Sequence, residues 1–339
     1  MRGMMRGIEM RTEKYIDRIL ETYRAGGDGL GPGDAMLLLG ACRLHEASQE
    51  ERYLAFVESR LEGWIRGDGL RHALEERTPV IGGIGPVLFY MLEATGKETY
   101  QKTAKDLMRC LADLPRCACA SFAHDPLHPA QLWLRDTFSV LPFYMEYETK
   151  IGKKENYNDI IRQFDNVQKL LYNEERGLCR NRFDETAGGE GRTPDAPDFL
   201  MDDTGLYLMA LVDTMGSMSI QVFEQYKRLE TIFKQVISGV LRYRDGKSGL
   251  FYQKIDADSA CGKDPDTAGS LMAAYSILRA CRMGALLLEK YAHVGTEILE
   301  SVTESWDQRF QEGGVPSPGE AGAFLMAVSQ YRMLRERME

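Results

Sequence analysis

The densest group of reactive side-chain types in the chain lies in HDPLHPAQLWLRDTFSVLPFY, residues 124–144. It offers His124 and His128, the amide of Gln131, the indole of Trp133, the guanidinium of Arg135 and the carboxylate of Asp136. An apolar ring beside an amide, a guanidinium and a carboxylate can hold a sugar, with the ring stacking and the polar groups fixing orientation. The plainer alternative makes Trp133 a core residue and Arg135 and Asp136 surface or capping charges, and local sequence leaves both open. Upstream, Cys117 and Cys119 stand close to His124, Asp125 and His128 in CACASFAHDPLH. These are metal-ligand types, but C-x-C followed by H-D-x-x-H lacks the spacing of common zinc modules, so no metal site is assigned.

Further candidates open other segments. Asp202 and Asp203 begin a helical stretch, where carboxylates also complement the helix dipole. Asp266 precedes another in DPDTAGS, a position at which N-capping accounts for an aspartate. Arg180 and Arg182, in CRNRFDE, can bind a carboxylate-bearing ligand through charge-assisted pairs. His45, His72 and His293 have no such company and read as structural.

The elements that must carry these residues are helices. Apolar residues recur at helical spacing through nearly the whole chain, while period-two runs are short and few. Gly, Pro and Asn punctuation divides the pattern into twelve helices near 10–24, 32–48, 49–66, 82–96, 98–113, 131–151, 155–172, 199–215, 220–245, 266–284, 288–306 and 319–334. Two kinds alternate. TGLYLMALVDTM and TAGSLMAAYSILRA are dense in small and apolar residues, as a helix buried on most sides requires, whereas ETYQKTAKDLMRCLAD and EQYKRLETIFKQVISGVLRYR have one charged face.

The apolar helices begin near 32, 82, 131, 199, 266 and 319, in steps of 50, 49, 68, 67 and 53 residues. A hairpin of one buried and one surface helix cannot cover its apolar face alone, so the units must stack. Six of them close into an all-α (α/α)6 toroid, and one such barrel accounts for residues 1–339. All outer-to-inner connections then share one end of the toroid. They are the long ones, at 67–81, 114–130, 173–198, 246–265 and 307–318, and long connections are where function concentrates. Two contain extended stretches, GLCRNRFDE and GLFYQKID, expected to form small β-hairpins at the rim.

Composition narrows the function classes. The 339 residues include 42 Lys and Arg against 51 Asp and Glu, a net charge of −9, with no long basic run. Such a chain is poorly suited to neutralising nucleic-acid phosphates or an anionic membrane surface. No stretch of about 18 apolar residues suggests a membrane span, and the N-terminus lacks the apolar core of a signal peptide. Seven scattered cysteines (42, 110, 117, 119, 179, 261 and 281) fit reduced thiols in a cytoplasmic protein.

The order QLWLRDTFSVLPFYMEY, GLCRNRFDE, TGLYLMALVD, GLFYQKID, DTAGSLMAAYSILRACRMG and GAFLMA resembles the unsaturated uronyl hydrolases, six-hairpin enzymes of glycoside hydrolase families 88 and 105. The resemblance runs from near residue 80 to the C-terminus. It implies release of a terminal uronic acid bearing a C4–C5 double bond from a small acidic oligosaccharide. An aspartate protonates the double bond and helps water add at C5, after which the hemiketal collapses. No metal or organic cofactor is implied. Asp184, Gly205, Tyr207 and Tyr252 match family positions. The polar positions have changed: a gap-free match puts Arg135 where the W-x-D motif has its catalytic aspartate, with Asp136 one place later. Asn181 replaces a histidine, Asp202 replaces an arginine, and VIGGIG before the second apolar helix lacks an acid. The expectation is therefore a glycosidase with Asp136 as acid/base and Asp202 or Asp203 as second carboxylate. His124, His128, Gln131, Trp133, Arg135, Arg180, Arg182, Asp184, Tyr252 and Asp266 are expected to hold substrate. Two alternatives stand beside it: a toroid that only binds acidic carbohydrate, or a glycosidase of different specificity.

Overall fold

A computed structural model describes residues 2–24, 30–66, 83–187, 199–219, 221–257, 265–311 and 313–338. His72, Cys261 and the first half of VIGGIG lie outside them, as do the connection 67–81 and parts of those at 173–198 and 246–265. The described helices are α1 (Arg2–Thr22), α2 (Pro32–Ser48), α3 (Glu51–Arg66), α4 (Gly85–Thr95), α5 (Glu98–Ala112) and α6 (Asp136–Lys150). They continue as α7 (Tyr157–Leu170), α8 (Met201–Ser217), α9 (Phe223–Val240), α10 (Thr267–Arg282), α11 (Leu288–Gln311) and α12 (Pro318–Met338).

Contacts between helices make the six-hairpin closure explicit. The inner helices α2, α4, α6, α8, α10 and α12 touch in that order, and α12 returns to α2. Outer helices α3, α5, α7, α9 and α11 each cover the inner helix before them, and α1 covers α12. The two compositional classes have their cause here. Most residues of α8 and α10 are buried, whereas α5 buries only the stripe Tyr100, Thr103, Ala104, Leu107 and Leu111. The closing seam depends on glycine. A Cβ on Gly40 would sit 2.7 Å from the Gly322 carbonyl, and one on Gly322 would sit 2.5 Å from Leu37 N, so α2 and α12 approach backbone to backbone. Among the described residues no helix is long and apolar enough to cross a membrane.

Inner-helix N-termini share the rim, and the opposite end is turned by short links. Gln49 (φ 59°) and Gly96 (φ 69°) end α2 and α4 in left-handed conformations; only the glycine advertises this in sequence.

The third inner helix corrects the expected 131–151 boundary. Gln131–Trp133 is not a helical turn but a strand, β1, and α6 starts at Asp136. The hairpins also differ from expectation. In the first stretch β3 (Leu178–Cys179) pairs as a hairpin with β2 (Tyr172–Asn173) just before it, but β4 (Arg182–Asp184) pairs antiparallel with the distant β1. The second stretch forms no hairpin among the described residues. It makes isolated bridges, Leu200 with Lys254 and Tyr252 with Pro265, which fasten the starts of α8 and α10.

Candidate active site

The loop before α6 is held from both sides. Gln163 on α7 accepts a hydrogen bond from Phe122 N (3.0 Å) and donates to the Ala120 carbonyl (3.2 Å), while His124 N donates to the Gln131 carbonyl (2.9 Å). In the β1–β4 ribbon Gln131 faces Asp184 and Trp133 faces Arg182. The intervening Leu132 is buried, so strand alternation puts the polar and aromatic pairs on the other face. The Trp133 indole N–H donates to Gln131 Oε1 (2.9 Å), and Gln131 Nε2 donates to Asp184 Oδ2 (2.9 Å). Hydrogen bonds from Thr186, then from Gln131, hold the Asp184 carboxyl below its usual range. Asp184 is thus a fastener of the ribbon.

On this ribbon the His124 ring stacks over Trp133, centroids 4.1 Å apart and planes within 12°. The Arg182 guanidinium lies 5.5 Å from the same indole centroid, and its buried Nε has no hydrogen-bond partner among the described residues. His124 Nδ1 meets Asp136 Oδ2 at 2.8 Å. Asp136 is 7% exposed. Burial pushes its carboxyl above the usual range, and the hydrogen bond and charge of His124 offset only part of that. Burial opposes the charged form of His124, but Asp136 and then Asp125 more than compensate and raise its pKa. Beside Asp136 is a recess of about 20 Å³, room for one water, walled by Trp133, Thr137, Val140 and Gln163 among others.

Next to this pair, Arg135 bridges to the start of α8. Its Nε donates to Asp203 Oδ1 (2.5 Å) and its Nη2 to Asp202 Oδ2 (2.8 Å). Asp203 is 2% exposed, and burial lifts its pKa to about 6 despite the guanidinium. Asp136 and Asp202 are among the charges that act on it. The two residues that departed most from the family pattern, Arg135 and Asp202, are therefore partners of each other.

The remaining candidates divide. Asp266 caps α10 through Gly269 N (2.9 Å), with its carboxyl raised by burial. Asn181 anchors the ribbon to α8, its carbonyl accepting from Leu134 N (2.7 Å) and its Oδ1 from Leu200 N (3.0 Å). His128 pairs with Asp125 (2.9 Å) in an exposed turn and is not drawn to Asp136. Tyr252 lies on the bridge to Pro265, Arg180 follows β3 and is partly buried, and Tyr207 is wholly buried in the core. His45 bonds Tyr90 (2.7 Å). Among the described residues no three His, Cys, Asp or Glu gather as a metal-holding group.

Sequence reasoning missed the common logic of the rim. Five of the six inner helices carry an acid at or beside their first turn: Asp34, Asp136, Asp202 with Asp203, Asp266 and Glu320. Each complements a helix dipole. Arginines neutralise three of these positions, Arg60 on Asp34 (2.7 Å), Arg135 on Asp202 and Asp203, and Arg309 on Glu320 (2.8 Å). Asp266 is held by backbone. Asp136 alone among these described acids is hydrogen-bonded to a histidine.

Comparison with known proteins agrees with this architecture. Residues 33–316 match glycosyl hydrolase family 88. Protein Atu3128 of Agrobacterium fabrum and a 24.9 kDa protein of the picA locus of Rhizobium radiobacter are each 30% identical over 154 residues, 43% of this chain and 62% of theirs. A family 105 glycoside hydrolase of C. acetobutylicum superposes with a TM-score of 0.84 at 23% identity, over 95% of this chain and 99% of that one. An unsaturated glucuronyl hydrolase specific for heparin does so at 0.77 and 10% identity, over 97% and 98%. The six-hairpin fold is shared with both, and the chain belongs to glycosyl hydrolase family 88.

Proposed function

We propose that this enzyme, acting as one toroid over its whole length, releases a terminal unsaturated uronic acid from a small acidic oligosaccharide, with Asp136 as the acid/base. The observation that carries the reading is the 2.8 Å pairing of buried Asp136 with His124. Arginine stays protonated through the working range, so it exchanges no proton with the carboxylate it pairs. Histidine can exchange a proton, and a buried carboxyl with a raised pKa can hold one to donate.

The chemistry follows from that pair. Protonated Asp136 delivers its proton to C4 of the C4–C5 double bond, and the ring oxygen shares the positive charge that develops at C5. The Asp136 carboxylate left behind is stabilised by the His124 N–H and takes a proton from the water that adds at C5. The resulting hemiketal opens and frees the aglycone. The Trp133–His124 shelf supplies an apolar face for the sugar ring, and Arg182, with its unpartnered Nε, supports binding of the uronate carboxylate. Asp203, held by Arg135 and with its pKa lifted to about 6 by burial, is the second carboxylate of the site.

The test is a panel of lyase-generated pectin and glycosaminoglycan disaccharides incubated with purified protein. Decay of the ultraviolet absorbance of the conjugated double bond on at least one member is the expected result; unchanged absorbance on all of them contradicts the reading. A second reading, a toroid that binds such sugars without turnover, is favoured by one feature: the ion pairs from Arg135 occupy both Asp202 and Asp203. Calorimetric binding with no loss of absorbance would select it.

A further inference from the structure

We propose that Cys117 and Cys119 form an oxidation site, a dithiol that closes to a disulfide on reaction with a hydroperoxide, at the foot of the loop carrying His124. The two residues sit in one tight turn. Cys117 N donates to the Ser121 carbonyl (2.9 Å), Ala120 N donates to the Cys117 carbonyl (2.8 Å), and Ala120 adopts a left-handed conformation (φ 69°). The two side chains, two residues apart in this turn, act on each other's protonation, with Cys117 as the donor. Cys119 is partly exposed and Cys117 is buried beside it, an attacking thiol with its resolving partner in reach. Glu185 grips the turn from β4, accepting from Ala118 N (2.9 Å) and Cys119 N (3.1 Å).

Donation from Cys117, followed by that from Ser121, draws the Cys119 thiol down to about 6, which favours its thiolate. The same coupling, with burial, pushes Cys117 well up. Burial likewise raises Cys42, Cys179 and Cys281, which keeps them unreactive. In the first step the Cys119 thiolate attacks one peroxide oxygen, the O–O bond breaks, and the sulfenic acid forms while the other oxygen leaves, after protonation, as an alcohol, or as water when the oxidant is hydrogen peroxide. In the second the Cys117 sulfur attacks the Cys119 sulfur and expels hydroxide, which leaves as water with the Cys117 proton. Two thiols are oxidised to one disulfide, and one hydroperoxide is reduced.

The position matters because Glu185 follows Asp184, whose carboxylate holds Gln131 and through it Trp133. Closing the turn therefore pulls at the base of the aromatic shelf. The inference stands on the turn and its thiols and is independent of the proposed substrate.

The experiment is brief exposure of the full-length protein to hydrogen peroxide, alkylation with iodoacetamide and peptide mapping. The peptide bearing Cys117 and Cys119 is expected to lose the mass of two hydrogens, to resist alkylation until dithiothreitol is added, and to react at least about tenfold faster than Cys110. The Cys117→Ser variant, a near-isosteric change, should stop at a Cys119 sulfenic acid that dimedone traps, and Cys119→Ser should leave Cys117 reduced. Oxidation of Cys119 no faster than Cys110, or a disulfide from Cys119 to any cysteine other than Cys117, overturns the proposal.

Discussion

The imidazole of His124 and the carboxyl of Asp136 meet at 2.8 Å, joining the last segment of a long rim loop to the first residue of the third inner helix. Stacking on Trp133 fixes the histidine ring, and the helix start fixes the carboxylate. The arrangement puts a proton-exchanging group beside Asp136, whereas the arginine-paired rim acids have guanidinium.

His124→Phe keeps a flat ring over Trp133 and removes the hydrogen bond. That bond lowers the Asp136 pKa from where burial alone would set it, so its loss raises the pKa further. A reaction that needs protonated Asp136 declines as pH rises through that pKa. The alkaline limb of kcat should therefore move to higher pH in the variant, while kcat falls on the order of tenfold or more because the conjugate carboxylate has lost its donor. A limb that stays in place or moves to lower pH contradicts the assignment.

Arg135→Gln leaves Asp203, 2% exposed, with no cation beside it. At pH 7 the variant should lose about 2–3 kcal/mol of stability in chemical denaturation. The pH dependence has a definite sign. The native Asp203 pKa lies near 6 and its ordinary value is 3.8. As pH rises between those values the unfolded chain releases its proton first, so folding stability declines across that window. Below it both states are protonated and the deficit of Arg135→Gln should vanish. Asp203→Asn should flatten the window, and the double variant should be more stable at pH 7 than Arg135→Gln alone.

The glycine seam makes a prediction about closure. Gly322→Ala places a methyl 2.5 Å from Leu37 N, against backbone that has no rotamer to yield. A loss of roughly 3 kcal/mol or more is expected, with the melting temperature falling accordingly. Gly63→Ala, where a Cβ meets nothing within 4 Å on exposed α3, is the control and should be neutral or slightly stabilising. Equal melting temperatures for the two variants contradict the closed α2–α12 contact.

The toroid was legible in the sequence because burial on all sides leaves a compositional mark: TAGSLMAAYSILRA on α10 cannot be an exposed helix. The position of every inner helix followed from that mark, with starts displaced by up to five residues. The largest displacement was at Gln131–Trp133, which has no local turn signal and becomes a strand because residues about fifty positions away, Arg182–Asp184, pair with it. The site was legible as an inventory and not as pairs. His124 and Asp136 were both identified, but twelve residues separate them. Arg135 and Asp202 registered as one exchanged pair of charges, but their contact crosses 67 positions. Periodicity reports which side of a helix is buried, and contacts between rim loops follow from closure of the ring, which no local window contains.

The central claim concerns Asp136, and the most direct measurement is kcat of Asp136→Asn beside the wild type on whichever unsaturated disaccharide the wild type consumes, with melting temperatures recorded for both. An amide keeps the shape and can still accept from His124, but it has no proton to give. The account predicts a fall in kcat of about 10²–10⁴-fold with little change in melting temperature. A variant that is equally stable and turns over at the wild-type rate contradicts it.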